Sequence, residues 1–185
     1  EHFKQSFKNV EFTFIEFQVL MNYSYVSLCL GNFEEYNEIY NRINSHSIIK
    51  ELPLIRSSFE ELSLQYLYEQ NQNGEALKKA DTLIEYSVNL NLFNTTLYAY
   101  IIKAKIYFYL NQFDLMIHCV QSAKKYETNV NEGYKILLQL FEHIYNNNIE
   151  GIKLCLNYFS NNDQFDDRIF TLFRLAEFYL KNKKE

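Results

Sequence analysis

Residues 94–114, NTTLYAYIIKAKIYFYLNQFD, contain the pattern that decides the fold of this chain of 185 residues. Polar residues that can cap a helix come first, and apolar residues then recur at spacings of three and four, the period of an amphipathic α-helix. The stretch ends in Asn111-Gln112-Phe113-Asp114, where two amide residues precede an aromatic residue and a carboxylate. A carboxylate in the first turn of a helix interacts favourably with the helix dipole. The stretch therefore predicts one helix, a short turn and the start of a second helix.

The same turn pattern recurs along the chain. Gly31-Asn32-Phe33-Glu34 repeats it closely, and Asn73-Gly74-Glu75 and Asn148-Ile149-Glu150 repeat it more loosely. The steps between Phe33, Glu75, Phe113 and Ile149 are 42, 38 and 36 residues. Steps of this size are typical of arrays of helix pairs, such as repeats of about 34 residues with small insertions. The predicted fold is therefore an all-α solenoid of antiparallel helix pairs with degenerate repeats.

Helical spacing of apolar residues covers nearly the whole chain and predicts nine helices. The first carries a stripe at positions 12, 15, 19, 23, 26 and 30 and is closed by Gly31 and Asn32. Because the connections are short, neighbouring helices should be antiparallel, and we expect residues 1–185 to form a single helical repeat domain. The other helices are predicted at residues 33–44, 53–70, 75–91, 95–110, 112–126, 131–146, 149–159 and 166–182.

The composition supports a folded helical chain and argues against several other classes. Apolar residues make up 48%, with 16 Tyr and 16 Phe, which excludes a disordered chain. Four Gly and one Pro are too few for the tight turns of a β-sandwich or barrel. A net charge of −5 argues against binding along phosphate backbones, so we expect no nucleic-acid contact by these residues. The sequence contains no secretory leader and no long apolar run, so we expect a cytoplasmic protein without membrane contact.

Residues that carry catalysis or bind metals in other proteins form no known pattern here. The four histidines lack HExxH spacing, no CxxC pair occurs, and the four glycines are too scattered for a phosphate-binding loop. His118 and Cys119 are neighbours on a predicted helix, so their side chains diverge by about 100°. Cys29, Cys119 and Cys155 are interpreted as reduced thiols in the core. We therefore expect a binding protein rather than an enzyme, with no cofactor and no metal.

The sequence resembles tetratricopeptide repeats, most clearly over residues 95–128. Ala104 stands at the small, close-packing position, Asn111 at the turn, and Ala123 where the second helix meets the following unit. Tyr36 takes the place of the small residue in the first unit, so the array is degenerate.

A sharper resemblance is to the peptide-pheromone receptors of low-GC Gram-positive bacteria and their phages. Among these, the chain is most similar to the arbitrium receptors of temperate phages, which decide between lysis and lysogeny. The similarity is most specific at Leu30-Gly31-Asn32-Phe33, at Leu54-Ile55-Arg56-Ser57-Ser58-Phe59 and over residues 94–110.

This resemblance implies the sensor domain of a quorum-sensing transcriptional regulator, which binds a short signalling peptide in its concave groove. Such regulators carry an N-terminal helix-turn-helix, and none occurs in these residues. The chain is therefore expected to be a fragment that lacks the DNA-binding part, or a stand-alone sensor. An arginine that contacts the peptide in some arbitrium receptors falls at about Asn94 here, so we expect a different peptide.

The first helix of each pair is expected to line the concave surface of such an array. Tyr, Asn and Gln side chains there suit an extended peptide, whose backbone amides need hydrogen-bond partners. The predicted peptide-binding residues are Gln65, Tyr68, Gln72, Asn94, Tyr98, Lys105, Tyr109 and Tyr134, with Glu142 as a further candidate.

A second interpretation is a constitutive protein–protein interaction scaffold that binds no small ligand. Its interface would be the aromatic-rich last helix, residues 165–179, which could also join two copies in a homodimer. A molecular mass independent of any peptide, together with an exposed apolar patch on an end helix, would favour this interpretation.

Overall fold

The structure, a computed structural model, describes residues 14–45, 52–162 and 165–182. Within these residues it consists of nine α-helices and one 3-10 turn, with no strand, so the predicted all-α fold is confirmed. None of the helices in this part of the chain is long and apolar enough to cross a membrane. The helices are α1 Phe14–Cys29, α2 Phe33–Asn44, α3 Pro53–Glu69, α4 Asn73–Asn89, α5 Phe93–Tyr109, α6 Phe113–Ala123, α7 Glu132–Tyr145, α8 Ile149–Asn161 and α9 Phe165–Asn182.

The helix boundaries follow the predicted turns with two clear differences. α4 begins at Asn73, before the predicted start at Glu75, because the preceding turn is shorter than expected. The chain after Ala123 tightens into a 3-10 turn, Lys124–Tyr126, where a longer sixth helix was predicted. Phe12, which belongs to the predicted stripe of the first helix, lies outside the described residues.

Contacts between helices divide the chain into two compact units, Glu1–Gln70 and Asn71–Glu185. In the first unit α1 packs against α2 and α3. In the second unit each helix from α4 to α8 packs against the next one in the chain. In addition, α5 contacts α7, and α7 contacts α9. The odd-numbered helices of the second unit therefore lie side by side.

Five three-residue turns between helices contain a residue in the left-handed region of the backbone. In the α5–α6 turn, the Asn111 amide donates to the Phe108 carbonyl at 3.0 Å and the Gln112 amide donates to the Tyr107 carbonyl at 2.8 Å. The equivalent two bonds close the α1–α2, α4–α5 and α7–α8 turns. This Schellman arrangement satisfies the last carbonyls of a helix and requires a positive φ. The residues with positive φ in these turns are Gly31 (70°), Asn71 (55°), Asn91 (56°), Asn111 (57°) and Asn147 (52°), and Asn129 (56°) has the same conformation in the longer connection before α7.

Within each unit, these turns reverse the chain within three residues. In the α5–α6 turn, the Gln112 amide makes the last hydrogen bond to α5, and the Gln112 carbonyl accepts the first hydrogen bond of α6, from the Met116 amide at 3.0 Å. Asn71, Asn91 and Asn111 follow one another at intervals of 20 residues, because α4 and α5 are each 17 residues long and each turn adds three. A helix pair in this region therefore takes 40 residues, which is longer than the tetratricopeptide unit of about 34.

Stacked aromatic rings form part of the core of the first unit. Tyr36 is 1% exposed and stacks on Tyr66 with ring centroids 4.5 Å apart, and Tyr40 stacks on Phe59 at 4.4 Å. The Tyr36 hydroxyl donates to the Leu62 carbonyl at 3.4 Å. Burial raises the pKa of Tyr36 well above its usual range, so the ring stays neutral. A buried tyrosine thus fills the position that the tetratricopeptide resemblance assigns to a small residue.

The core of the second unit is centred on α5, in which nine residues are buried. Ala104 and Ala123 have no exposed surface and lie in one apolar cluster with residues from α5 to α9. Their small side chains allow close approach of neighbouring helices. Between α4 and α5, the buried hydroxyls of Ser87 and Thr96 form a hydrogen bond of 2.8 Å, so these two buried groups satisfy each other.

The cysteines differ in burial. Cys119 and Cys155 are buried in the second core, and burial raises the pKa of both thiols to about 11, which keeps them protonated at neutral pH. Cys29 is exposed, so the prediction that it lies in the core is wrong. It follows the buried Leu28 at the end of α1, and each residue of a helix is rotated by about 100° from the one before it.

α1 is apolar on two faces. Phe17, Leu20 and Leu28 are buried inside the first unit. The other face carries the part of the sequence stripe that the structure describes, and it is exposed. A helix with two apolar faces can bury only the face that meets its neighbours, here α2 and α3. The exposed residues, named below the α1 outer stripe, are Ile15 (73%), Val19 (37%), Tyr23 (42%), Val26 (49%) and Leu30 (79%).

Substitution of Asn91 tests the role of the left-handed turn residue. Asn91→Ala should lower the free energy of unfolding by about 1 kcal/mol, because a Cβ is disfavoured at positive φ and alanine lacks the amide that makes asparagine tolerant. Asn91→Gly should stay within about 0.5 kcal/mol of the unsubstituted chain, since glycine adopts this conformation freely. Urea denaturation followed by circular dichroism measures both. Equal losses would show that the Asn91 side chain, and not the backbone conformation, stabilises the turn.

Candidate functional site

Five of the eight predicted peptide-binding residues lie on two adjacent helices of the second unit. Asn94, Tyr98, Lys105 and Tyr109 share one side of α5, because their spacing places them within about 60° around the helix axis. Tyr134 lies on α7, which contacts α5. All five side chains are half-buried or exposed, whereas most of α5 is buried.

Two contacts join these residues across α5 and α7. Asn94 Oδ1 accepts a hydrogen bond from the Asn131 amide at 2.8 Å, where Asn131 is the N-cap of α7. The rings of Tyr98 and Tyr134 lie with their centroids 6.3 Å apart. The structure therefore brings Asn94, Tyr98 and Tyr134 together at the start of both helices. The Asn94 carbonyl oxygen has a structural role there, because it holds the start of α7.

The other predicted residues are placed elsewhere. Gln65 and Tyr68 are half-buried on α3 of the first unit, and the Gln65 amide donates to Glu69 at 2.5 Å. Gln72 is exposed at the start of the second unit, where it is the N-cap of α4. Glu142 lies on α7 and forms an ion pair of 2.6 Å with Lys124.

The side of α5 that carries the predicted residues ends, at the C-terminus of the helix, in a cleft of about 880 Å³. This is within the size range of sites that bind small molecules and short peptides. Five helices contribute to it, each through residues close to the same end of the second unit. Tyr109 is the predicted residue that reaches it. The residues that line this α5–α9 cleft are Phe108, Tyr109, Asn111, Phe113, Ile144, Tyr145, Asn147, Ile152, Arg174 and Glu177.

Two of the left-handed turns hold the rim of the α5–α9 cleft. Asn111 and Asn147 both line it. The backbone hydrogen bonds of their turns fix the positions from which the two side chains project. Tyr109 and Tyr145, two residues before each asparagine, are 53% and 41% exposed and also face the cleft. The Tyr145 hydroxyl donates to Asp114 Oδ1 at 3.3 Å, which restricts the ring. The rim is therefore formed by two turns whose backbone is held by hydrogen bonds.

Arg174 forms a charged wall on α9. Its guanidinium carbon lies 4.0 Å from the centre of the Phe108 ring and 5.1 Å from that of Phe170, which is the geometry of a cation–π contact. One of its terminal nitrogens pairs with Glu177 at 2.5 Å. Arg174 Nε is buried and has no hydrogen-bond acceptor among the described residues. The rings and Glu177 thus hold the cation in place at the edge of the apolar floor.

The lining of the cleft combines apolar side chains with amide groups. Phe108, Ile144 and Ile152 provide an apolar floor, and Asn111 and Asn147 offer amide donors and acceptors at the rim. A bulky side chain can be buried on this floor while the neighbouring peptide groups pair with the asparagines. Among the described residues there is no group of three His, Cys, Asp or Glu side chains that could hold a metal ion.

Nine of the ten residues that line the cleft were not predicted from the sequence. They come from five helices and two turns, and helical periodicity describes only the faces of single helices. One usable signal exists, because both turns at the rim read tyrosine, any residue, asparagine, at Tyr109–Asn111 and Tyr145–Asn147. Such a signal marks the corners, but it does not show which other helices reach them.

Comparisons of the chain with protein-family models, with curated proteins and with solved structures gave no match. The resemblance to tetratricopeptide repeats and to arbitrium receptors therefore stays a prediction. The repeated three-residue turns and the side-by-side packing of α5, α7 and α9 are features that stacked helix pairs would share.

The α7–α8 corner of the cleft depends on a close approach of His143 to Gly151. A Cβ on Gly151 would lie 2.3 Å from His143 Nδ1, so Gly151→Ala must displace the ring. We expect Gly151→Ala to lower the free energy of unfolding by about 1–2 kcal/mol, as overpacking does. His143→Ala should remove most of that loss when the two changes are combined, because the space is then free. Denaturation of both single variants and the double variant measures the coupling, and additive effects would contradict it.

Proposed function

We propose that the second unit binds a short linear peptide, which lies along the exposed side of α5 and ends in the α5–α9 cleft. The observation that carries this proposal is the cleft itself, with its apolar floor and its two asparagines at the rim. Asn94 to Tyr109 spans about 22 Å of helix at 1.5 Å per residue. An extended peptide of about six or seven residues has the same length.

The proposal extends to the role that the arbitrium resemblance implies, a sensor domain of a quorum-sensing transcriptional regulator that acts in the choice between lysis and lysogeny. A ligand in the cleft would touch α5, α6, α7, α8 and α9 at once. It would therefore favour whichever packing of these helices fits it best. Regulation follows if the peptide binds one arrangement more tightly than another, since only differential affinity shifts a conformational equilibrium.

Selection from a displayed library of random heptapeptides on the purified chain tests the proposal. Enriched peptides should bind with a defined Kd in calorimetry and raise the Tm, because a ligand that binds only the folded state stabilises it. The combined variant Asn111→Gly and Asn147→Gly should bind about tenfold or more weakly, since each lost hydrogen bond contributes roughly 0.5–1.5 kcal/mol. Glycine accepts a positive φ, so both turns should be retained.

Asn91→Gly is the matched control, because Asn91 has the same backbone conformation but does not line the cleft. Its peptide affinity should equal that of the unsubstituted chain. A selection that yields no binder would refute peptide recognition. Binders whose affinity falls with Tyr98→Ala, but not in the double glycine variant, would place the peptide on the start of α5 and α7 and exclude the cleft.

A second candidate function is a constitutive protein–protein interaction scaffold. It is favoured by exposed apolar side chains near the C-terminal end of the second unit, where Leu154 of α8 is 69% exposed and Leu172 and Phe173 of α9 are 48% and 65% exposed. Such side chains are common at surfaces that bind other proteins or a second copy of the chain. A dimer mass in light scattering that is unaffected by the selected peptides would favour this function.

A further inference from the structure

We infer that the α1 outer stripe is a docking face for an amphipathic helix of a separate protein, with an apolar stripe flanked by lysine or arginine. The five stripe residues fall within about 80° around the axis of α1, and the centre of the stripe is about 130° from the centre of the buried face. They extend over about 22 Å, which is four helical turns. A continuous apolar line of this length on a surface marks a site of interaction, whereas single exposed apolar residues do not.

The partner is a helix because the stripe itself has helical spacing. Its residues recur at steps of three and four, so they form one ridge along α1. A second helix can fit its own ridge beside this one at an interaxial distance of about 8–10 Å. An apolar stripe at positions i, i+3, i+4 and i+7 of the partner would then match it, as in other complexes in which a helix binds a helical surface.

The edge of the stripe that faces α2 is acidic. Tyr23 of the stripe donates a hydrogen bond to Glu35, and Ser27 donates to the same carboxylate at 3.2 Å. This hydrogen bond, burial and the charges of Glu35 and Glu38 raise the pKa of Tyr23. Glu16 lies on α1 at the same edge, about 20° around the helix from Tyr23. Carboxylates therefore border the apolar line on one side.

The wider first unit has the same charge balance. Its described residues contain seven carboxylate side chains and two arginines, and one of these, Arg56, lies 3.9 Å from Glu60. A partner with basic flanks gains attraction and association rate from such a surface. A second copy of the chain is a poorer occupant, because antiparallel pairing of two α1 helices would set the two acidic edges side by side.

A designed peptide of 18 residues, with leucines at helical spacing and lysines on both flanks, is the probe for this face. Fluorescence anisotropy with the full chain should give saturable binding that weakens as salt is raised, because exposed charge pairs are screened. A matched peptide with glutamates in place of the lysines should bind at least tenfold more weakly. Equal binding of both peptides would overturn the assigned charge of the partner.

Variants of the chain locate the site. Val19→Gln combined with Val26→Gln should weaken the lysine peptide at least tenfold without lowering the Tm, because both side chains are exposed and the change adds no charge. Leu115→Gln is the control, since Leu115 is also exposed, at 46%, but lies on α6. Unchanged binding by the double variant would refute the proposal. So would a dimer mass for the chain alone that the double variant converts to a monomer mass, because a second copy would then occupy the stripe.

Discussion

The left-handed residue in the middle of each three-residue turn is the constraint on which the rest of the structure depends. It lets the last amides of one helix turn back onto its own carbonyls, and the next residue then starts the following helix. Within each unit, neighbouring helices are antiparallel because the chain reverses so quickly. Asparagine supplies this conformation at four such turns and Gly31 at the fifth, since these two residue types tolerate a positive φ best.

The turns also connect the fold to the candidate site. Asn111 and Asn147 reverse the chain at the same end of the second unit, so the ends of α5 and α7 and the starts of α6 and α8 meet there. Aromatic and aliphatic residues at these ends cannot all be buried, and α9 supplies Arg174 as a further wall. An apolar cleft with polar corners is the result. Its shape depends on backbone hydrogen bonds more than on any one side chain.

Much of the fold could be predicted from the sequence, because the turn at Asn111 and its relatives interrupt long stretches of helical periodicity. The site could be predicted only where it lies on one helix face, as for Tyr109. Asn147 and Arg174 were missed because they meet Tyr109 through packing between helices distant in sequence. The prediction that Cys29 is buried was wrong because α1 has two apolar faces, and periodicity then gives no indication of which face is buried.

The turn at Asn91 has one more consequence. The hydrogen bonds of its Schellman arrangement join main-chain atoms, and the Ser87 and Thr96 hydroxyls add one side-chain bond beside it. In this part of the chain the demand for a positive φ arises about once in 20 positions. Positions that carry neither such a turn nor a close contact between helices tolerate exchange within their chemical class. Descendants of such a chain would diverge in sequence long before they diverge in architecture. The spacing of the asparagines at their turns would then be the sequence feature that is retained longest.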